Sequence, residues 1–252
     1  MTLRILALVL LLTLAACAKD KAGIGETDAA SAELYQKGNK LLGQGNYSLA
    51  IEQFETLESR YPFGTYAQQS QLETAYSHYK LSEPDSAIAA ANQFIKLNPQ
   101  HEHVDYAYYL KGIANFSRYD GMFDRFVEKD VSLLDMKPMR QSFADFKQLI
   151  NRFPDSAYAE DAEKRMLFLR NVLADHELSV ARYYAKRGAN VAVVNRCKYL
   201  LKHYDRTDSV PEALMLIAQA YEKMGLDGPF NETLSVLEHN FPDKLNGMTR
   251  KE

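Results

Sequence analysis

The residues able to do chemistry are few, and most are badly placed for it. His101-Glu102-His103 offers two imidazoles around a carboxylate, but it follows Pro99-Gln100 at a helix start and has no matching ligand cluster elsewhere. His176-Glu177 lacks the second histidine, one helical turn on, that a zinc-hydrolase helix requires. There is no glycine-rich phosphate loop and no Gly-x-Ser-x-Gly nucleophile turn. The other carboxylates and lysines are scattered along helical patterns, as on solvated helix faces. No catalytic residue, metal or cofactor is expected. Cys197 lies among Val193, Val194, Leu200 and Leu201 and reads as a small buried hydrophobe. That leaves Cys17, whose setting points to covalent modification.

Arg4 supplies a short positive region, Ile5 to Leu14 an apolar run, and Ala15-Ala16 the small residues a signal peptidase needs. The run is about ten residues, half of the roughly 20 that span a bilayer. An ordinary secretory signal reads the same up to that point. Leu14-Ala15-Ala16-Cys17, however, resembles the lipobox of bacterial lipoproteins. The resemblance implies cleavage before Cys17, which becomes an N-palmitoyl, S-diacylglycerol cysteine. With more than one acyl chain, attachment leaves the marginal range, at about 0.8 kcal/mol per buried CH₂. Ala18 stands where enterobacterial lipoproteins retained in the inner membrane carry Asp, so the outer membrane is implied, with the body facing the periplasm. Residues 1–16 are then a signal peptide and 17–30 a lipidated, flexible tether.

The elements behind these residues repeat. Gly38, Ala75 and Gly112 are 37 apart, as are Pro62 and Pro99, and Ala181 and Ala218. The order Tyr47, Ala50, Phe54, Leu57, Tyr61-Pro62 resembles a tetratricopeptide helix-turn-helix with about three extra connecting residues. Small residues let paired helices approach, aromatics fill the gaps, and proline stops the second helix. The expected fold is all-α, a right-handed tetratricopeptide superhelix of about five helical pairs. Repeats 1–3 occupy 31–156 and repeats 4–5 occupy 157–252. The third repeat carries an insert at about 120–138, either a binding element or a solvent loop with apolar pins. From Tyr158 to Arg187 there is no Pro or Gly, which predicts one long helix closed by Gly188. Helices are expected at about 191–204, 210–224 and 230–240.

Stacked pairs make a groove lined by the first helix of each pair. Tyr35, Asn39, Tyr76, Tyr79, Lys80, Tyr106, Tyr109 and Phe116 are its candidates. Two readings are open for each aromatic: core packing, or a surface for an extended peptide, to which tyrosine offers apolar area and one hydroxyl.

The stretches Arg60-Tyr61-Pro62-Phe63-Gly64, Leu97-Asn98-Pro99, Asp105-Tyr106, Phe153-Pro154-Asp155-Ser156 and Val193-Val194-Asn195-Arg196 resemble the BamD family of outer-membrane β-barrel assembly lipoproteins. That resemblance implies a scaffold of the Bam complex. Its partners would be BamA, other Bam lipoproteins and the C-terminal targeting segments of unfolded β-barrel clients, with no nucleic acid. Asn195 and Arg196 would belong to the half that engages BamA. The insert follows the family's aromatic and acidic pattern loosely, and the tail after Phe241 differs from it. The alternatives are a tetratricopeptide lipoprotein acting as a pilotin or another envelope scaffold, or an envelope enzyme. Losing Arg4 with the signal peptide takes the net charge from −3 to about −4, which disfavours nucleic acid and polybasic membrane patches.

Replacing Cys17 by Ser is expected to release the chain from salt-washed membranes into the soluble fraction. Full retention on membranes would remove the lipid anchor from the account.

Overall fold

The computed structural model describes residues 23–126 and 135–245, all of whose regular elements are helices. Cys17, the signal peptide, most of the tether, the centre of the insert and the extreme C-terminus lie outside the described residues. The chain divides into two compact units between Leu110 and Lys111.

The first unit holds α1 (Gly23–Gly43), α2 (Tyr47–Arg60), α3 (Thr65–Lys80), α4 (Pro84–Leu97) and the start of α5 (Val104–Phe126). α1 packs on α2, α2 on α3 and α3 on α4, and α1 also touches α3. The second unit holds the rest of α5, then α6 (Lys137–Arg152), α7 (Ala159–Lys186), α8 (Asn190–His203), α9 (Val210–Lys223), α10 (Asp227–Asn240) and the short α11 (Pro242–Leu245). Here α6 packs on α7, α7 on α8, α8 on α9 and α9 on α10, with α7 also meeting α9. Within each unit a first helix thus also meets the next first helix, the contact pattern of tandem helical hairpins. The all-α class and tetratricopeptide architecture agree with the sequence.

Two kinds of stop signal set the hairpins. First helices end in a left-handed residue: Gly45 (φ 76°), Ser82 (φ 59°), Gly188 (φ 72°) and Gly225 (φ 69°). At each, two crossed backbone bonds satisfy the last carbonyls, as when Gly45 donates to Leu42 and Asn46 to Leu41. Second helices end in a residue that leaves the helical region (φ −129° to −141°, ψ 55° to 69°) ahead of a proline, which disfavours the helical conformation there: Tyr61, Asn98, Phe153 and Phe241. Tyr204 adopts a similar conformation without a following proline.

Packing inside a hairpin follows a strict exchange of volume. A Cβ on Gly38 would run into the Phe54 ring, and one on Gly112 into Phe146. Both phenylalanines are fully buried. At the equivalent register the second repeat has Ala75 and Ala91, and the fourth has Ala181 and Cys197, all fully buried. Glycine occurs where the partner is phenylalanine, and alanine in the second and fourth repeats, where the residue at the same register is alanine or cysteine. The burial of Cys197 follows from this position, and burial pushes its thiol up to about 12.

Two boundaries differ from expectation. Helix α1 starts at Gly23, inside the stretch read as tether, because Glu26, Ala29 and Ala30 allow a helix that the apolar period alone does not reveal. Helix α6 starts at Lys137, with Pro138 in its first turn, and α5 runs to Phe126, so both ends of the expected insert are helical. The insert's aromatic Phe126 closes α5, while Val127 lies outside the described residues.

Gly38→Ala is expected to lower stability by about 1–2 kcal/mol, because overpacking against an immobile ring outweighs the helix-propensity gain. Gly43→Ala, where nothing lies within 4 Å, is expected to raise it by up to about 1 kcal/mol. Ser82→Gly should also stabilise, by about 1 kcal/mol, since it relieves a left-handed non-glycine residue. Thermal unfolding midpoints of the three variants check the signs.

Candidate functional site

In the first unit the candidate tyrosines gather into two clusters. Tyr35 of α1 lies 5.3 Å from Tyr66 of α3 and 6.0 Å from Phe54, centroid to centroid. Burial raises its phenol, the hydrogen bond from Asn39 opposes that, and Glu73 and Tyr66 add to the rise. Glu73 is itself raised by burial. The second cluster sits at the other end of α3. Tyr76 meets Tyr47 edge-on at 6.3 Å and Tyr79 at 6.5 Å, and the Lys80 ammonium lies 5.8 Å from the Tyr47 ring centre. The five tyrosines are half-buried and Lys80 is exposed. Each ring is held on one side and open on another, so core packing and surface presentation coexist in the same residues.

Tyr106 and Tyr109 are half-buried on the part of α5 belonging to the first unit, flanking the buried Tyr108. Phe116 belongs to the second unit. It packs 5.8 Å from Phe168 of α7, with the Arg165 guanidinium 4.9 Å from its ring centre. Tyr47 and Tyr66 were missed as site residues. The first sits on a second helix, outside the rule that first helices line a groove, and the second sits in the first turn of α3, where spacing alone does not reveal its contact with Tyr35. Phe63, in the α2–α3 loop beside Gly64 (φ 109°), is 91% exposed, an apolar side chain held out by its turn.

In the second unit, Asn195 and Arg196 are both exposed on α8. Arg196 is already engaged: its Nη1 donates to Glu177 Oε2 of α7 at 3.1 Å, and the Glu177 side chain is only 3% exposed. The carboxylate of His176-Glu177 therefore has a structural partner across the hairpin. Arg182 of α7 forks onto Glu212 of α9 with two bonds of 2.6 Å. Asp145, also 3% exposed, accepts from Asn115 at 2.8 Å and Gln141 at 3.1 Å and faces the Lys111 ammonium at 3.5 Å.

His101 packs edge-on against Phe94 at 5.2 Å, and burial, then the neighbouring His103, lowers its basicity. Among the described residues no group of three or more histidines, cysteines, aspartates or glutamates is poised to hold a metal. No described helix is long and apolar enough to cross a membrane.

Tandem hairpins of this kind, with half-buried tyrosines along the first unit, define a tetratricopeptide-type fold. The sequence pattern of the YfiO family, an outer membrane lipoprotein, matches residues 27–237, and the chain belongs to this family. An outer membrane protein assembly factor BamD of Neisseria meningitidis is 41% identical over 235 residues, covering 92% of this chain and 88% of the relative. The BamD of Vibrio cholerae is 35% identical over 213 residues, covering 84% and 88%. Among solved structures, a tetratricopeptide protein of Thermus thermophilus aligns over 87% of this chain and 96% of its own, at 17% identity and a TM-score of 0.38.

Arg196→Ala is expected to cost about 1–2 kcal/mol, because Glu177 keeps its charge in a buried place without a partner, while the half-exposed guanidinium limits the loss. Adding Glu177→Gln should restore most of the unfolding midpoint. A partner that binds Arg196 directly would remain lost in the double variant, so one pair of proteins separates the two roles.

Proposed function

We propose that this chain is a non-enzymatic scaffold of the outer-membrane protein assembly (Bam) complex, aiding insertion of β-barrel proteins into the outer membrane. The observation that carries the reading is membership of the YfiO family across residues 27–237, alongside relatives named outer membrane protein assembly factors. In this reading Cys17 carries the lipid and holds the body at the periplasmic face of the outer membrane. The tyrosines of the first unit receive the extended, aromatic-ended targeting segments of unfolded barrel proteins. Rigid tyrosines suit such clients, because they give large contact area at low entropic cost and a hydroxyl for a peptide backbone. Residues 195–196 of the second unit face BamA, and other Bam lipoproteins complete the complex.

Arg196 supports its part through geometry. With one nitrogen committed to Glu177 the guanidinium is oriented, and its exposed remainder can still donate to a carboxylate or to backbone carbonyls. The BamA contact is then pre-organised by a bond inside the scaffold.

Purified from detergent-solubilised membranes, the chain is expected to bring down a large barrel protein with tandem POTRA domains, identified by mass spectrometry. Recovery of a secretin instead would make it a pilotin. Tyr76→Ala with Tyr109→Ala should weaken binding of a barrel C-terminal peptide about tenfold or more, at unchanged helicity, as loss of aromatic anchors does. Collapse of helicity would return both residues to the core.

A further inference from the structure

A second recess in the first unit lies between α2, α3 and α4, on different residues from the tyrosine clusters. Its volume is about 340 Å³. Glu55 and Glu58 line one wall, a helical turn apart on α2. Ala89 and Ala90 of α4 line the recess opposite α2. Thr74 of α3 also lines it, and its Oγ1 is buried with no hydrogen-bond partner in a residue only 9% exposed. A buried hydroxyl without a partner costs stability and calls for an explanation.

The charge in the recess is equally unmatched. Gln71 reaches Glu58 but spends its oxygen on Asn98, whose amide donates to it at 3.0 Å. Burial raises the Glu58 carboxyl; the Gln71 hydrogen bond lowers it, Glu55 raises it further and Ser70 lowers it. His78, also at the recess, is committed at 2.7 Å to Glu83. No ion pair among the described residues neutralises Glu55 or Glu58. The recess therefore combines two carboxylates, an idle hydroxyl oxygen and the methyl groups of Ala89 and Ala90.

We infer that this recess binds the arginine side chain of an extended peptide segment, its guanidinium shared between Glu55, Glu58 and the Thr74 hydroxyl and its stem lying along Ala89 and Ala90. A planar group with five donors can serve acceptors arriving from α2 and α3 together, and it sheds water more readily than an ammonium. The site concerns a cation, so it stands apart from the aromatic-ended clients assigned to the tyrosines and does not depend on that assignment.

The probe is acetyl-Gly-Arg-Gly-amide, titrated into the isotope-labelled full chain in detergent micelles and followed through the amide signals of Gln71, Thr74 and Ala90. Saturable shifts at these residues are expected, with the lysine counterpart at least threefold weaker and the uncharged citrulline counterpart at least tenfold weaker. Glu55→Gln with Glu58→Gln should weaken the arginine probe at least tenfold, and Thr74→Val about threefold, with unfolding midpoints unchanged or raised. The inference is overturned if citrulline binds as well as arginine, if the double glutamine variant binds as tightly as the parent, or if magnesium alone moves the signals while no peptide does.

Discussion

The structure depends on a ring resting against a bare helix backbone. Where Phe54 and Phe146 enter their hairpins, the facing residues are Gly38 and Gly112, and even a methyl group there would collide with the ring. That contact sets how closely the two helices of a pair approach. Hairpin spacing in turn sets which side chains stand half-exposed beside it. Because the described helices pack chiefly on their near neighbours, an error in one pair passes to the next pair and is not averaged over a common core. The left-handed residues ending first helices and the pre-proline residues ending second helices keep the lengths in step, so the fit recurs with each hairpin.

Charge is handled by the same economy. The deeply buried carboxylates Glu177 and Asp145 are met from the facing helix of their own hairpins, by Arg196 and by Asn115 and Lys111. These two carboxylates are neutralised inside their own hairpins, whereas among the described residues no ion pair neutralises Glu55 or Glu58 of the first unit. Arg196 stays half-exposed while it neutralises Glu177, so part of its guanidinium remains open to solvent. The tyrosines show the apolar form of the same compromise. Tyr35 and Tyr76 each pack against neighbouring rings while staying half-exposed, which restricts their rotamers.

Much of this was legible in the chain. The interval of 37 residues exposed the repeat, and proline and glycine located helix ends to within a residue or two, as with α7 and Gly188. Contacts across a hairpin were not legible in the same way. Glu177 and Arg196 are nineteen residues apart, and neither pattern nor composition links them. Tyr47 escaped because it enters the tyrosine cluster from a second helix. The start of α1 was hidden for another reason: its first turns are made of small and polar residues that fit a helix and a tether equally well. Phe116 was placed with the tyrosines by register alone, whereas its packing partner Phe168 belongs to α7.

The central claim is that the half-buried tyrosine edge of the first unit meets unfolded β-barrel chains at the outer membrane. Photo-crosslinking in living cells tests it most directly, with a photoreactive amino acid placed at Tyr79 or, as a control, at Leu97, which is 57% exposed on α4. The account predicts adducts between Tyr79 and newly made barrel proteins that appear during synthesis, fade as the barrels mature, and are absent from Leu97. Equal crosslinking at both positions, or adducts at Tyr79 only with soluble periplasmic proteins, would contradict it.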